Sequence, residues 1–315
     1  MRGLVIKSTG SSYIVRLDDG LDVECHIKGN FRIRGIRSTN PVAVGDFVQV
    51  QTLADGTNWI KEIEERCNYI IRRSTNLSKE SHILAANIDQ VALIVTVNHP
   101  ATSTTFIDRF LATCEAYRVP AVLIFNKIDL LTPDELQHLD ELRALYENIG
   151  YRTLAISAKN LNAEGNNREA LNALLAGQTT LFSGNSGVGK STLLNALFGR
   201  EMTRTGRISD AHDKGMHTTT FSEMYFLSPS ASRLSAVIDT PGIKGFGSID
   251  MQREEVSHYF REIFRVGHNC RFGNCTHTGE PGCAVQEAVI RGEIAISRFE
   301  SYMSLLGDCD EAKYR

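Results

Sequence analysis

The chain has 315 residues, 42% hydrophobic and 23% charged, with a formal net charge of −3. That length accommodates two or three domains, that balance excludes global disorder, and that charge excludes a uniformly basic surface, so any nucleic-acid contact must be a local patch. The opening MRGLVIKSTGSSY has no apolar run of signal-peptide type and the longest apolar runs, such as AVLIF at 121–125, are strand-sized, so we expect a cytoplasmic protein with no membrane contact.

The first 65 residues contain five short runs rich in β-branched and aromatic residues, LVIKS, YIVRL, VECHI, FVQVQ and WIKEI, with Tyr13, Val15 and Leu17 alternating onto one face. Five strands in so few residues cannot cover both faces of an open sheet, which predicts a small closed barrel of the oligonucleotide/oligosaccharide-binding (OB) or SH3-like type. Residues 1–75 hold 11 Lys and Arg against 9 Asp and Glu, a net +2, whereas 76–249 carry a net −2 and 250–315 a net −3. Within it KGNFRIRGIRSTN sets Lys28, Arg32, Arg34 and Arg37 around Phe31. Such a loop suits RNA phosphates and base stacking, unless it is simply solvated with Phe31 in the core. RRSTNLSKES at 72–81 reads as a linker.

From residue 88 strands alternate with helices. QVALIVTV, AVLIFN, RTLAIS and TTLFSG are apolar almost throughout, as parallel strands buried on both faces require. TFIDRFLATCEAY and PDELQHLDELRALYENIG between them are helical, the second closed by Gly150. This is a doubly wound α/β domain. After residue 248 the pattern is helical again, REEVSHYFREIFRV and AVQEAVIRGEIAISRFESYMSLL, interrupted by a cysteine-rich loop.

The α/β region carries the motifs of a guanine-nucleotide site. In NKID the Asp129 carboxylate can accept from N1 and N2 of guanine, Asn126 can bond the other ring edge, and the Lys127 stem can lie over the base, with Ile128 between them. Adenine would leave that carboxylate without donors. In SAK, Ser157, Ala158 and Lys159 follow the next strand, and the Ala158 amide is placed to bond guanine O6. LFSGNSGVGKSTLLNAL then fits G-x-x-x-x-G-K-[ST] after a strand and before a helix. Its loop Gly184, Asn185, Ser186, Gly187, Val188, Gly189 forms an anion nest at a helix N-terminus. Lys190 reaches the β and γ phosphates and Ser191, which completes the motif, binds Mg²⁺; Thr192 follows it. Asp239 and Gly242 of DTPG supply the metal-side carboxylate and a γ-phosphate amide.

EMTRTGRISDAHDKGMHTTT, between these two motifs, is long, polar and without a core pattern, the place of a first switch loop. Its Mg²⁺-binding threonine is Thr218, Thr219 or Thr220, and we favour Thr219. Ile243 stands where many small GTPases carry a water-orienting glutamine. His217 is the candidate to position that water in its place, the alternative being an ordinary solvated loop histidine.

Cys270, Cys275, His277 and Cys283 form C-x₄-C-x-H-x₅-C. Three thiolates and an imidazole suit a closed, structural Zn²⁺ site, with His268 as a rival ligand outside the cysteine array. Of seven cysteines the other four are scattered singly, which argues against a disulfide framework.

The motifs run NKID, SAK, GNSGVGKS, HTTT, DTPG, so the base reader precedes the phosphate loop. Circular permutation produces such an order while preserving strand packing. With the five-strand barrel before and the cysteine loop after, the chain resembles the ribosome small-subunit-dependent GTPase A family (RsgA, also called YjeQ or YloQ) over nearly its whole length. The resemblance implies an OB-type barrel at 1–72, a permuted P-loop GTPase domain at 73–248 and a helical zinc-binding domain at 249–315. It also implies a monomeric GTPase that binds GTP and GDP, contacts the small ribosomal subunit and its rRNA late in maturation, and is stimulated by that subunit. The alternative is an RNA-binding assembly scaffold in which GTP is a structural ligand. The order further suggests that γ-phosphate contacts at Gly242 move or order the zinc domain.

Overall fold

The alternation of the N-terminal runs is realised as a closed barrel. Tyr13, Val15 and Leu17 all point inward and are 1%, 0% and 5% exposed. The strands are β1 (Arg2–Ser8), β2 (Tyr13–Leu17), β3 (Asp22–Ile27), β4 (Phe47–Thr52) and β5 (Asn58–Ile63), ordered β1-β2-β3-β5-β4, with β4 returning to pair with β1. β3 and β5 run parallel and the other pairs antiparallel, which closes the OB-type barrel around Val5, Cys25, Val48, Val50 and Ile60. The structure is a computed structural model that describes residues 1–9, 12–27, 41–73, 81–163, 165, 167–199, 222–228, 235–240 and 251–312. Lys28, Phe31, Arg32, Arg34 and Arg37, the loop residues His217, Thr218, Thr219 and Thr220, and Gly242 and Ile243 lie outside the described residues.

Next come β6 (Tyr69–Arg73) and β7 (Ser81–Ala86), an antiparallel pair with Arg73 opposite Ser81. The stretch expected to be a linker is therefore bounded by strand residues at both ends. The apolar halves of these strands, around Ile70, Ile83 and Ala85, bury against neighbours, while their polar ends carry no apolar signal.

The α/β unit contains β8 (Gln90–Val95), β9 (Ala121–Phe125), β10 (Arg152–Ala155), β11 (Thr179–Ser183), β12 (Ser222–Ser228) and β13 (Ser235–Asp239). Order β10-β9-β8-β11-β13 is parallel throughout, and β12 adds antiparallel to β13. Helices α1 (Thr104–Ala116), α2 (Pro133–Ile149), α3 (Arg168–Leu175) and α4 (Lys190–Phe198) cover the sheet. Strands β8 and β9 are buried along their whole length, which is why their sequences show no alternation. Alternate residues serve two cores: Leu93 and Leu123 pack on one face with Phe110 and Tyr146, Ile94 and Ile124 on the other with Leu171 and Leu194. β12 also pairs with β1, so the barrel and the α/β sheet are one continuous ladder.

The C-terminal unit is smaller. A 3-10 stretch (Arg253–Tyr259) leads into α5 (Arg261–Gly267), so the expected single helix bends at Phe260. The second expected helix is likewise two, α6 (Ala284–Ile290) and α7 (Ile296–Ala312), parted at Gly292 with φ 74°. Their core gathers Val256, Phe260, Ile263, Val285, Tyr302 and Leu306. Among the described residues no helix is long and apolar enough to cross a membrane.

Candidate functional site

The phosphate-loop sequence leaves the centre of the sheet, from the end of β11, and enters α4. Two of its glycines have no room for a side chain. A Cβ on Gly184 would lie 2.5 Å from the Ile94 carbonyl oxygen, and one on Gly189 would lie 2.3 Å from Asn126 Nδ2. Gly187 and Gly189 are also left-handed, at φ 86° and 93°. Val188 is buried in the core beneath the loop, whereas Asn185, Ser191 and Thr192 are partly exposed and Ser186 and Gly187 exposed. The first N–H groups of α4 have no partners within the helix and carry its positive end.

Lys190 donates to the Asp239 carboxylate and, at 2.7 Å, to the Thr240 carbonyl. Asp239 is fully buried at the end of β13. The two charges therefore neutralise one another in a place where either alone is costly. Phosphate oxygens for Lys190 and a hydrated divalent cation for Asp239 are the partners that replace this pairing without leaving a bare buried charge. The Thr240 hydroxyl beside them is buried with no hydrogen-bond partner among the described residues.

Asn126 follows β9 and is 2% exposed. Its Nδ2 donates to the Val188 carbonyl at 2.8 Å, and its Oδ1 accepts the Ala158 N–H at 2.9 Å. One side-chain amide thus joins the base-reading, SAK and phosphate-loop segments. The Ala158 N–H, expected to reach a guanine O6, is engaged with Asn126, so a base carbonyl there would share it. Lys127 is left-handed at φ 65°, and its ammonium donates to the His99 carbonyl. Burial lowers the Lys127 pKa against the pull of Asp129. Ile128 donates its N–H to the Ile156 carbonyl at 3.3 Å, and Asp129 stands exposed in the 3-10 turn Ile128–Leu130. Ser157 is buried and Lys159 is exposed. The 98–100 segment, beside both Lys127 and Gly187, belongs to no nucleotide motif; its NHP turn composition is the one sequence signal it carries.

The second centre is in the C-terminal unit. The ligand atoms of Cys270, Cys275, His277 and Cys283 all lie within 4.8 Å of one another. His277 Nδ1 is 3.6, 3.4 and 3.4 Å from the three sulfurs in turn. A tetrahedral zinc with ordinary Zn–S and Zn–N bonds separates such atoms by about 3.6 Å, so the donors fit that ion. Burial lowers the His277 pKa, favouring the neutral imidazole a metal needs, and pushes the Cys275 thiol up to about 12, a cost that a bound cation reverses. His268, the rival ligand, lies outside the cluster and packs edge-on to Phe264 at 4.7 Å. Glu280 folds the loop: burial alone would raise its pKa, but donors from Thr276 and Thr278 bring it down to about 2.

The RsgA GTPase family pattern matches residues 63–249, and the RsgA N-terminal domain pattern matches residues 2–60. The small ribosomal subunit biogenesis GTPase RsgA 2 of Bacteroides thetaiotaomicron is 60% identical over 315 residues, covering 100% of this chain and 99% of that protein. The crystal structure of YjeQ from Thermotoga maritima superposes with a TM-score of 0.73 at 33% identity, covering 98% of each chain. The structure of YloQ, described as a circularly permuted GTPase, superposes with a TM-score of 0.73 at 29% identity, covering 100% of this chain and 96% of that one. A permuted nucleotide site set between a barrel and a Cys₃His unit, matched over the full chain by these relatives, makes this chain a member of the RsgA GTPase family.

Proposed function

We propose that this protein hydrolyses GTP in the service of small-ribosomal-subunit maturation, with the subunit stimulating turnover. The observation that supports the proposal is the Asn126 amide, which bonds the phosphate loop and the SAK loop at once and so brings three separated motifs together. In this reading Asp129 selects guanine, Asn126, Ile128, Ser157, Ala158 and Lys159 frame the base, and Gly184 to Thr192 cradle the phosphates. The buried Lys190–Asp239 pair supports a magnesium nucleotide as the ligand. Ser191 and Thr219 would hold the Mg²⁺ directly, Asp239 through water and Gly242 the γ phosphate. The ion would supply charge neutralisation for the phosphates. His217 positions the attacking water, because Ile243 has no group that can. Residues 1–72, 73–248 and 249–315 act as rRNA-binding barrel, GTPase and zinc unit of a cytoplasmic monomer without membrane contact.

The relatives' name supports the subunit as partner. GTP turnover by the purified protein, with and without purified small subunits, tests the reading. Stimulation of at least tenfold, about 1.4 kcal/mol of barrier, is expected. No stimulation would favour the scaffold reading, in which GTP is only structural. The same assay on His217→Ala should lose the stimulation, and wild-type stimulated turnover would remove that residue from the mechanism. Unchelated protein should contain one equivalent of zinc, and acid should release it as the thiolates take up protons.

A further inference from the structure

Lys127 is held by a loop that the nucleotide motifs do not include. Its stem passes the phosphate loop, with Cε 3.7 Å from where a Cβ on Gly189 would sit, and its ammonium ends on the His99 carbonyl. His99 is itself left-handed, at φ 63°, and its N–H donates to Asn98 Oδ1 at 2.8 Å. Asn98 Nδ2 then donates to Glu135 Oε1 at 2.7 Å. Glu135 stands in the first turn of α2, where its other oxygen accepts the Thr132 N–H at 2.8 Å. A single carboxylate thus caps α2 and braces the turn that tethers Lys127. On the other side of that turn Pro100 lies against the phosphate loop, 3.3 Å from where a Cβ on Gly187 would sit.

A lysine ammonium on a four-carbon stem has large rotamer freedom, and ordering it on ligand binding costs affinity. Fixing its far end beforehand removes that cost. We propose that Asn98 and Glu135 are positioning residues for Lys127, holding the His99 carbonyl in place so that the lysine stem forms a preset wall against the guanine base. The proposal rests on reading 126–129 as the guanine site. It makes a distinction that a simple helix cap would not: the brace serves the base, so GDP and GTP feel its loss equally, and KM rises while kcat holds.

The donor and acceptor of the Asn98–Glu135 bond can be exchanged. Asn98→Asp opposes two carboxylates and breaks the brace. Adding Glu135→Gln returns a donor to face the new carboxylate, while the amide oxygen still caps Thr132 and the carboxylate still accepts the His99 N–H. Affinities for GDP and a non-hydrolysable GTP analogue, measured by calorimetry beside the melting temperature, test this. We expect Asn98→Asp to weaken both nucleotides about tenfold, with kcat unchanged, and the double variant to recover to within about twofold of wild type. Wild-type affinity in Asn98→Asp, no recovery in the double variant, or a loss confined to the GTP analogue would overturn the proposal. Wild-type protein that binds neither nucleotide would instead overturn the reading of the site itself.

Discussion

The α/β unit carries a neighbour at each end of the chain, and the two are fastened by different physics. The barrel is attached through backbone hydrogen bonds, and Ile6 and Val44 also join the α/β core. β1 continues the sheet beyond β12, pairing Lys7 with Glu223 and Ser8 with Ser222, and the Ala86 N–H donates to the Val44 carbonyl at 2.9 Å. At that second contact Gly45 is left-handed at φ 95°, and a Cβ there would lie 2.0 Å from the Ala86 oxygen. The C-terminal Cys₃His unit is attached through charged side chains, with Ala112 of α1 also joining its apolar core. Arg298 of α7, 1% exposed, donates to Glu262 of α5 at 2.6 and 3.1 Å and to Asp108 of α1 at 2.8 Å. Tyr146 of α2 donates to the same Asp108 oxygen at 2.9 Å. Arg261 adds bonds to Glu115 and to the Gly150 carbonyl, both at 2.7 Å.

A backbone joint tolerates most side chains but forbids any at its closest point, whereas a buried-charge joint depends on one residue and on its orientation. Arg298 thus ties the C-terminal unit to α1, and α1 starts just after the 98–100 turn beside Lys127.

Three substitutions break or sharpen this contrast. Arg298→Ala leaves two carboxylates facing each other in the interior and should cost about 3–5 kcal/mol in urea unfolding, with the C-terminal unit the first to lose protection from hydrogen exchange. Gly45→Ala adds a methyl where the Ala86 oxygen already sits and strains a left-handed residue, for an expected loss of about 2–4 kcal/mol. Lys7→Ala removes a 3.0 Å pair with Glu223 whose side chains are 37% and 32% exposed, and should change stability by less than about 1 kcal/mol because strand pairing remains. If Lys7→Ala proved as costly as Arg298→Ala, the two joints would not differ in the way described.

Much of the fold is legible in the amino-acid sequence. Alternation at Tyr13, Val15 and Leu17 predicts the barrel, the unbroken apolar runs predict buried parallel strands, and the cysteine spacing predicts the four-donor cluster, because each is a local pattern with a fixed period or spacing. β12 and α3 leave no such mark: β12 consists mostly of half-buried residues without a clean alternation and α3 has only eight residues. The bends at Phe260 and Gly292 are hidden for a similar reason, since one helical pattern runs on across both.

Sequence alone determined the chemical types present: a carboxylate suited to guanine, glycines and a lysine suited to phosphates, three thiols and an imidazole suited to a metal. Only the tertiary structure decided which of them meet. Asn126 reaches Val188 across 62 residues, Lys190 reaches Asp239 across 49, and Arg298 reaches Asp108 across 190. No helical or strand period links positions so far apart; they are brought together by the order of strands in the sheet, which is settled by which apolar faces can be buried against one another.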